Sequence, residues 1–366
     1  MTHSNEIQMK AAVISLGSVS SQWTAEAMRK YFDEVDMLHV KEMDVKLGAD
    51  VGIYHNGTPM KKYDCVLVKG SFRYANLLRA ISTLLKGNCY TPIAPQAFTI
   101  VHNKLLTHLE LQKNNIPMPR TYVLPSTTEA KAILKTIHFP VIMKFPEGTQ
   151  GKGVMIADSE ASASSMLDAL GVLKQPFIIQ EYIESGDADI RAFVVGNEVV
   201  ASMMRVAKKG EIRGNIHAGG TGKPYELDRQ QRKVALDAAR VLGADICGID
   251  MLHGPKGPLV IEANISPGLQ GITNVSGVNV ADKIAHFLFE EAKKFSGINT
   301  KSEAEKILSE KLVENKELIT NLTFKGDRIV LPSVVTAATG FKEDGDYSIK
   351  TEKGKLVIEE FKVKRG

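Results

Sequence analysis

Cysteine is scarce in this 366-residue chain: Cys65, Cys89 and Cys247 are odd in number and far apart. That excludes a disulfide framework and any zinc-type spacing, and leaves reduced thiols packed in cores. Excess charge is scarce too. A formal balance of +4 gives no global attraction to nucleic acid or a membrane surface. No apolar run is long enough to span a bilayer, and the opening MTHSNEIQMK contains no apolar signal core. A soluble, cytoplasmic protein is expected. Residues 10–100 lack the G-x-G-x-x-G fingerprint of a dinucleotide site. No Ser-His-Asp or Cys-His nucleophile has supporting context, and there is no long repeat or low-complexity run.

What is present is enough apolar residue, 43%, to bury real cores, in a length that calls for two or three compact units. After a loose tail over 1–9, KAAVISL (10–16) reads as a buried strand and 21–32 as a helix. Strands follow at 35–40 and 63–68, then helical pattern at 74–85. This alternation predicts an open α/β domain. A helix over Asn103–Lys113 stops before Asn114, Asn115 and Pro117. Next come a strand at 120–124, a helix at 128–137, and strands at 141–145, 154–157 and 177–183. A third block holds strands at 189–195, 199–206, 248–252 and 259–265, with helices at 229–242 and 280–295. Residues 301–321 are charged, with Ala304, Leu308, Leu312 and Ile319 on one helical face. Residues 322–363 alternate like strands around turns.

Three motifs carry chemistry. Lys144-Phe-Pro-Glu-Gly148-Thr-Gln-Gly151-Lys152-Gly153 lets backbone N–H groups approach phosphate oxygens, with two lysines adding charge. It is not a Walker A loop, since Gly153 follows Lys152, and an ordinary glycine hairpin would read the same way. The second motif is a hairpin. If strands 248–252 and 259–265 turn about Lys256, Asp250 faces Glu262, and Asn264 shares their side of the sheet. Two carboxylates so close repel unless a cation joins them, and hard oxygen donors suit magnesium held with phosphates. A solvated strand face is the alternative, weakened by apolar Leu259, Val260, Ile261 and Ile265. The third is Gln180-Glu181-Tyr182-Ile183 at a strand end, whose backbone could pair with an adenine edge. Asp189, Arg191, Arg205 and Arg213-Gly214-Asn215 add a polar, cationic set suited to carboxylate or phosphate.

In order and wording, EGTQGKGV, QEYI, DIR, RGN, GID and EANISPGLQGI resemble the RimK-like glutamate ligases of the ATP-grasp fold over about residues 100–295. The resemblance implies a mixed α/β (α+β) chain of several domains. An α/β domain (1–100) would precede an ATP-grasp fold (101–297, two subdomains meeting near 185). It implies an ADP-forming acid–amino-acid ligase using ATP and two magnesium ions, with manganese as a substitute. Lys104 and Lys144 would bind ATP phosphates together with the Gly148, Gly151, Lys152 and Gly153 loop. Gln180, Glu181, Tyr182 and Ile183 would form the adenine hinge, and Asp189 would hold the ribose. Arg213, Gly214 and Asn215 would contact triphosphate or acyl phosphate, where the family usually reads Arg-Ser-Asn. Asp250, Glu262 and Asn264 would bind the metals. Arg191 and Arg205, with Arg213, would meet anionic groups in the reaction centre. His217 either touches phosphate or is structural.

Beyond a helical linker (298–321), residues 322–366 resemble an AbrB-like swapped hairpin, an element that often binds DNA as a dimer. The 13 basic and 12 acidic residues of 301–366 give no basic face, which favours assembly into a dimer or tetramer over DNA binding. The substrates implied are glutamate and an unidentified carboxylate acceptor. Rivals are a ligase for another amino acid or dipeptide, and an ATP-sensing regulator that binds DNA.

Overall fold

The computed structural model describes residues 8–147, 153–186, 188–207, 221–297, 323–325, 328–331, 339, 341 and 347–360. It divides into two compact units, 1–292 and 293–366. In the first, β1 (Lys10–Ser15) is buried along almost its whole length, as a parallel strand covered on both faces must be. It pairs in parallel with β2 (Glu34–His39) on one side. Helix α1 (Val19–Met28) connects the two, its N-terminus capped by Ser18, which accepts from the Ser21 N–H. A small antiparallel sheet of β3 (Met43–Lys46), β4 (Gly52–His55) and β5 (Thr58–Pro59) follows. Then β6 (Cys65–Val68) pairs with the other side of β1. Helix α2 (Ala75–Leu85) buries Leu78, Ile81, Ser82 and Leu85, the i, i+3, i+4, i+7 stripe of a core-facing helix. Met9, expected in a loose tail, is instead buried, and its N–H donates to the Asp33 carboxylate.

After the short α3 (Ala97–Ile100), α4 (Lys104–Lys113) starts on an Asn103 cap. A four-stranded antiparallel sheet then forms a lobe of its own. Its strands are β7 (Thr121–Tyr122), β8 (Val141–Lys144), β9 (Val154–Ala157) and β10 (Ile178–Glu181), in the order β7-β10-β8-β9. Helices α5 (Thr127–Leu134) and α6 (Glu160–Val172) cover it, and its core is separate: Leu134, Val141, Met143, Leu167 and Ile179 are all buried there.

A second antiparallel sheet, ordered β13-β12-β11-β14-β15, is built from β11 (Ala188–Val195), β12 (Glu198–Val206), β13 (Thr221–Pro224), β14 (Ile246–Gly254) and β15 (Gly257–Asn264). Helix α7 (Arg229–Val241) starts with a reciprocal Asp228/Gln231 capping box and packs on it. Helices α8 (Gln270–Ser276) and α9 (Val280–Phe295) close the block. One continuous core joins this sheet to the first domain: Ile14, Val66, Leu78 and Phe98 belong with Val194, Ala238, Ile249 and Val260. Among its described residues the second unit contains two hairpins, β16 (Thr323–Lys325) with β17 (Arg328–Val330), and β18 (Tyr347–Glu352) with β19 (Lys355–Glu360). The expected linker helix over 298–321 lies outside the described residues.

Candidate active site

The two antiparallel sheets and the carboxyl ends of β1 and β6 enclose a cavity of about 520 Å³. Part of its lining is an apolar slot. Ile142 and Val154 come from the four-stranded sheet, and Leu252 and Ile261 from the five-stranded one. Such a slot suits a flat ring. At its rim Tyr182 and Ile183 follow β10. The Glu181 carboxylate accepts from the Arg120 N–H at 2.8 Å, and the Glu181 N–H donates to the Arg120 carbonyl at 2.9 Å. Glu181 is therefore tied to its own chain.

Lys144 ends β8 and is almost fully buried. Its ammonium donates to Gln180 Oε1 at 2.8 Å, and Gln180 Nε2 donates in turn to Thr121 Oγ1. Burial, with Lys104 adding like-charge repulsion, lowers the Lys144 ammonium to about 8, although Glu262 pulls it back up. Lys104 opens α4, and its N–H donates to the Pro146 carbonyl at 2.8 Å, anchoring the strand end from which the glycine-rich stretch departs. Gly153 ends that stretch at φ +80, and a Cβ there would fall 2.2 Å from the Phe145 ring. Only glycine fits this position. His102 beside α4 also lines the cavity, and burial pushes its imidazole down to about 4.

Another part of the lining is a row of charge running across the five-stranded sheet. Asp189 sits across from Arg205, Arg191 across from Asp250, and Asp250 across from Glu262; Asn264 pairs with Gly248 two positions along. The period of two in Asp189-Ile-Arg191 puts both side chains on one face. Asp250 is only 3% exposed. It accepts from Arg191 Nε and Nη2 at 2.7 Å each, and Arg205 Nη2 lies 2.9 Å from its Oδ2. Arg205 Nε donates to Asp189. Burial pushes the Asp250 carboxyl up, but the two arginines outweigh it and hold it near 2. Arg191 and Arg205 thus already meet one anion, the chain's own Asp250. Glu262 makes no side-chain hydrogen bond among the described residues.

Hairpin β14–β15 pairs Asp250 with Glu262 as its sequence implies, but through a different turn. Gly254 faces Gly257, so the turn centres half a residue before Lys256, and a bulge beyond Asp250 restores the register. Ile261 is the extra residue.

Among the described residues no group of three or more His, Cys, Asp or Glu is arranged as a metal site. The candidate set is two carboxylates and a carboxamide, all lining the cavity. Three of the roughly four lone-pair positions of Asp250 are used by arginine, which leaves one on Oδ1. Among the described residues Asn264 Oδ1 accepts only from the Ser266 N–H, at 2.8 Å. Hard oxygen donors with spare lone pairs, one held ionised, fit a magnesium ion that keeps waters and phosphates as its other ligands.

The residues brought together are Lys104, Lys144, Gln180, Glu181, Tyr182, Ile183, Asp189, Arg191, Arg205, Asp250, Glu262 and Asn264. Gly148, Gly151, Lys152, Arg213, Gly214, Asn215 and His217 lie outside the described residues. Sequence reasoning missed Ser15, Ser18, Ser21, Lys69, Gly70 and Ser71, which form the wall from the first domain. The one signal was positional, since ligands gather at the carboxyl ends of parallel strands.

A slot between two antiparallel sheets, with a charged row on one of them, defines the ATP-grasp class. Solved structures agree. The ATP-grasp ligase PsnB, determined with a precursor variant, Mg and ADP, superposes with a TM-score of 0.61 at 17% identity, over 78% of this chain and 99% of that one. The D-alanine-D-alanine ligase from Coxiella burnetii gives 0.56 at 15% identity, over 82% and 99%. The RimK-like ATP-grasp domain model matches residues 101–288, and the chain belongs to that family. It is 33% identical over 291 residues to a "Probable alpha-L-glutamate ligase" of Thioalkalivibrio sulfidiphilus (strain HL-EbGR7), covering 78% of this chain and 97% of that protein. It is 34% identical over 298 residues to one so named from Xanthomonas euvesicatoria pv. vesicatoria (strain 85-10), covering 79% and 100%.

Proposed function

We propose that this chain is an α-L-glutamate ligase that spends ATP, with magnesium, to join the amine of glutamate to a carboxylate acceptor. The observation that carries the reading is the charged row Asp189, Arg191, Arg205, Asp250, Glu262 and Asn264 facing one cavity with an apolar slot beside it. The names of the relatives supply the amino acid.

Adenine enters the slot between Ile142, Val154, Leu252 and Ile261. Because the Glu181 N–H is already committed to Arg120, the base edge meets the Glu181 carbonyl and the backbone of Tyr182 and Ile183. Asp189 holds the ribose. Lys104 and Lys144 bind phosphate oxygens, and a bound phosphate removes the burial penalty that lowers Lys144. Gly153 lets the chain turn close to the nucleotide, with Gly148, Gly151 and Lys152 before it. Asp250, Glu262 and Asn264 would hold magnesium, which neutralises triphosphate charge. An acceptor carboxylate oxygen attacks the γ-phosphorus, the bond to the β-phosphate oxygen breaks, and ADP leaves. Arg191 and Arg205, with Arg213 and Asn215, balance the charge on the acyl phosphate. The glutamate amine then attacks the acyl carbon, phosphate departs, and the amine loses a proton. Positioning and charge stabilisation account for the catalysis without a covalent enzyme intermediate. The test is ADP release on mixing ATP, magnesium, glutamate and candidate carboxylate acceptors, with products weighed by mass spectrometry. Release equal with and without glutamate would overturn the reading.

For the second unit, we propose assembly of subunits. Its hairpins expose Ile329, Val330, Ile349 and Leu356, and so few residues seldom bury a sufficient core alone. The same element of another subunit would complete it. The cytoplasm is the proposed location; among the described residues no helix is long and apolar enough to cross a membrane.

A further inference from the structure

The wall of the cavity contributed by the first domain has no part in the chemistry above. Its central feature is Lys69, immediately after β6. Lys69 is 8% exposed, and among the described residues no acceptor lies within hydrogen-bonding distance of its ammonium and no carboxylate pairs with it. Burial alone lowers it to about 8. Other cations of the cavity have partners: Arg191 and Arg205 hold Asp250, and Lys144 holds Gln180. An ammonium at a cavity wall with no acceptor from the packing around it depends on water or a ligand to offset its burial. Such a group is suited to a ligand that supplies the opposite charge.

Its surroundings point the same way. β1 and β6 are neighbours in a parallel sheet, and the chain leaves β1 towards β2 on the far side. The crevice at their carboxyl ends is therefore a switch point of the kind where α/β sheets bind ligands. Ser15 ends β1 there, Ser18 caps the ten-residue α1, and Ser21 lies in its first turn; all three line the cavity with Lys69. Hydroxyls, a helix start and an ammonium form an anion-binding corner. It is also fixed to the reaction centre. The Gly70 N–H donates to Ser266 Oγ at 2.9 Å, and the Ser266 N–H donates to Asn264 Oδ1 at 2.8 Å. A Cβ on Gly70 would fall 2.6 Å from Leu78 Cδ1, so a side chain there would require Leu78 to move.

We propose that Lys69, with Ser15 and the start of α1, is the subsite for a non-reacting carboxylate of a substrate other than the nucleotide. This rests on the ligase reading. The carboxylate can belong to the incoming amino acid or to the acceptor, and the experiment separates the two. L-Glutamate and, as a bare acceptor mimic, succinate are titrated calorimetrically into the full chain with ADP and magnesium, using wild type, Lys69→Met and Lys69→Arg. The neutral variant is expected to bind one of the two probes about tenfold or more weakly, on the scale of a charge-assisted hydrogen bond. Lys69→Arg should recover most of the affinity, and ADP affinity should stay the same in all three. Loss confined to glutamate assigns the corner to the amino acid, and loss confined to succinate assigns it to the acceptor.

Lys69→Met should also melt no lower than wild type, because a buried unpaired charge is removed; a lysine kept for structure would make it melt lower. The inference is overturned if both probes bind wild type and Lys69→Met alike, if wild type binds neither, or if ADP affinity alone falls. Glutamate-dependent ADP release by wild type is measured separately. Its absence would count against the ligase reading, whereas the calorimetry judges the subsite.

Discussion

Asp250 and Glu262 face each other in one hairpin, yet their surroundings give them different duties, and substitution should separate these. Asp250→Asn keeps the shape and removes the charge. The guanidinium of Arg191, which made two 2.7 Å bonds, and that of Arg205 at 2.9 Å would then share one carboxamide oxygen. The carboxamide N–H2 would also point donors at donors. Breaking a buried ion pair on one side costs about 3–5 kcal/mol, a large part of a typical total stability of about 5–15 kcal/mol. For a body of this size that is a fall in Tm of roughly 6–15 °C. Glu262→Gln has no such consequence, since Glu262 neutralises no cation by direct contact among the described residues. Its melting temperature should stay within about 2 °C of wild type. The assay is thermal unfolding of the two variants side by side at neutral pH without nucleotide or metal. Equal melting temperatures for Asp250→Asn and wild type would refute the argument that this carboxylate holds the arginine pair together.

Glu262→Gln should nonetheless lose ligase turnover in magnesium; activity near wild type would remove it from the metal set. Acid should weaken the fold through His102 and His108, which burial pushes down to about 4 and about 3. The unfolded chain binds protons at both sites below about 6.5 while the native state does not, so stability is lost as pH falls from there. The loss reaches about 2 kcal/mol for each at pH 5. Denaturant titrations at pH 7 and 5 should show a smaller difference for His108→Gln than for wild type, and an equal difference would refute the assignment. Truncation after Gly297 should reduce the subunit count in light scattering while ATP turnover persists; an unchanged count would overturn the assembly role.

Much of this was legible in the sequence because it is local. The period of two in Asp189-Ile-Arg191 fixes a shared face, and a hairpin read about Lys256 reaches the Asp250–Glu262 pair, although the turn centres half a residue earlier and the bulge at Ile261 makes up the difference. The bulge at Ile261 was not legible, because a shift of half a residue in the turn leaves the apolar pattern almost unchanged. Helix α6 was missed: Ala163, Leu167 and Leu170 are its buried residues, a thin stripe among alanines and serines that could equally belong to a loop. The β3–β5 sheet is mostly half-exposed and so lacks clean alternation. Lys69 reads as a surface lysine at a strand end, and only the closing of distant segments around it makes it buried. The pairing of Arg191 and Arg205 with Asp250 likewise depends on the order of strands in the sheet, which no spacing along the chain encodes.

The two separate cores also bear on how the chain comes off the ribosome. Residues from about 121 to 181 hold the whole of one core, so that lobe can condense as soon as it emerges. The other core joins β1 to β15 and beyond. Its closing contacts include Ser20 Oγ donating to Gln270 Oε1 and accepting from the Leu269 N–H, some 250 residues away. Long-range closure of this kind is slow, and domains emerge in order from the N-terminus. The first α/β sheet must therefore wait, with part of its apolar surface uncovered, until almost three hundred residues have been made, while the lobe encoded between the two parts of that core is already folded. The charged row and the corner around Lys69 meet only at that last step, so binding competence arrives all at once with the end of synthesis of this body.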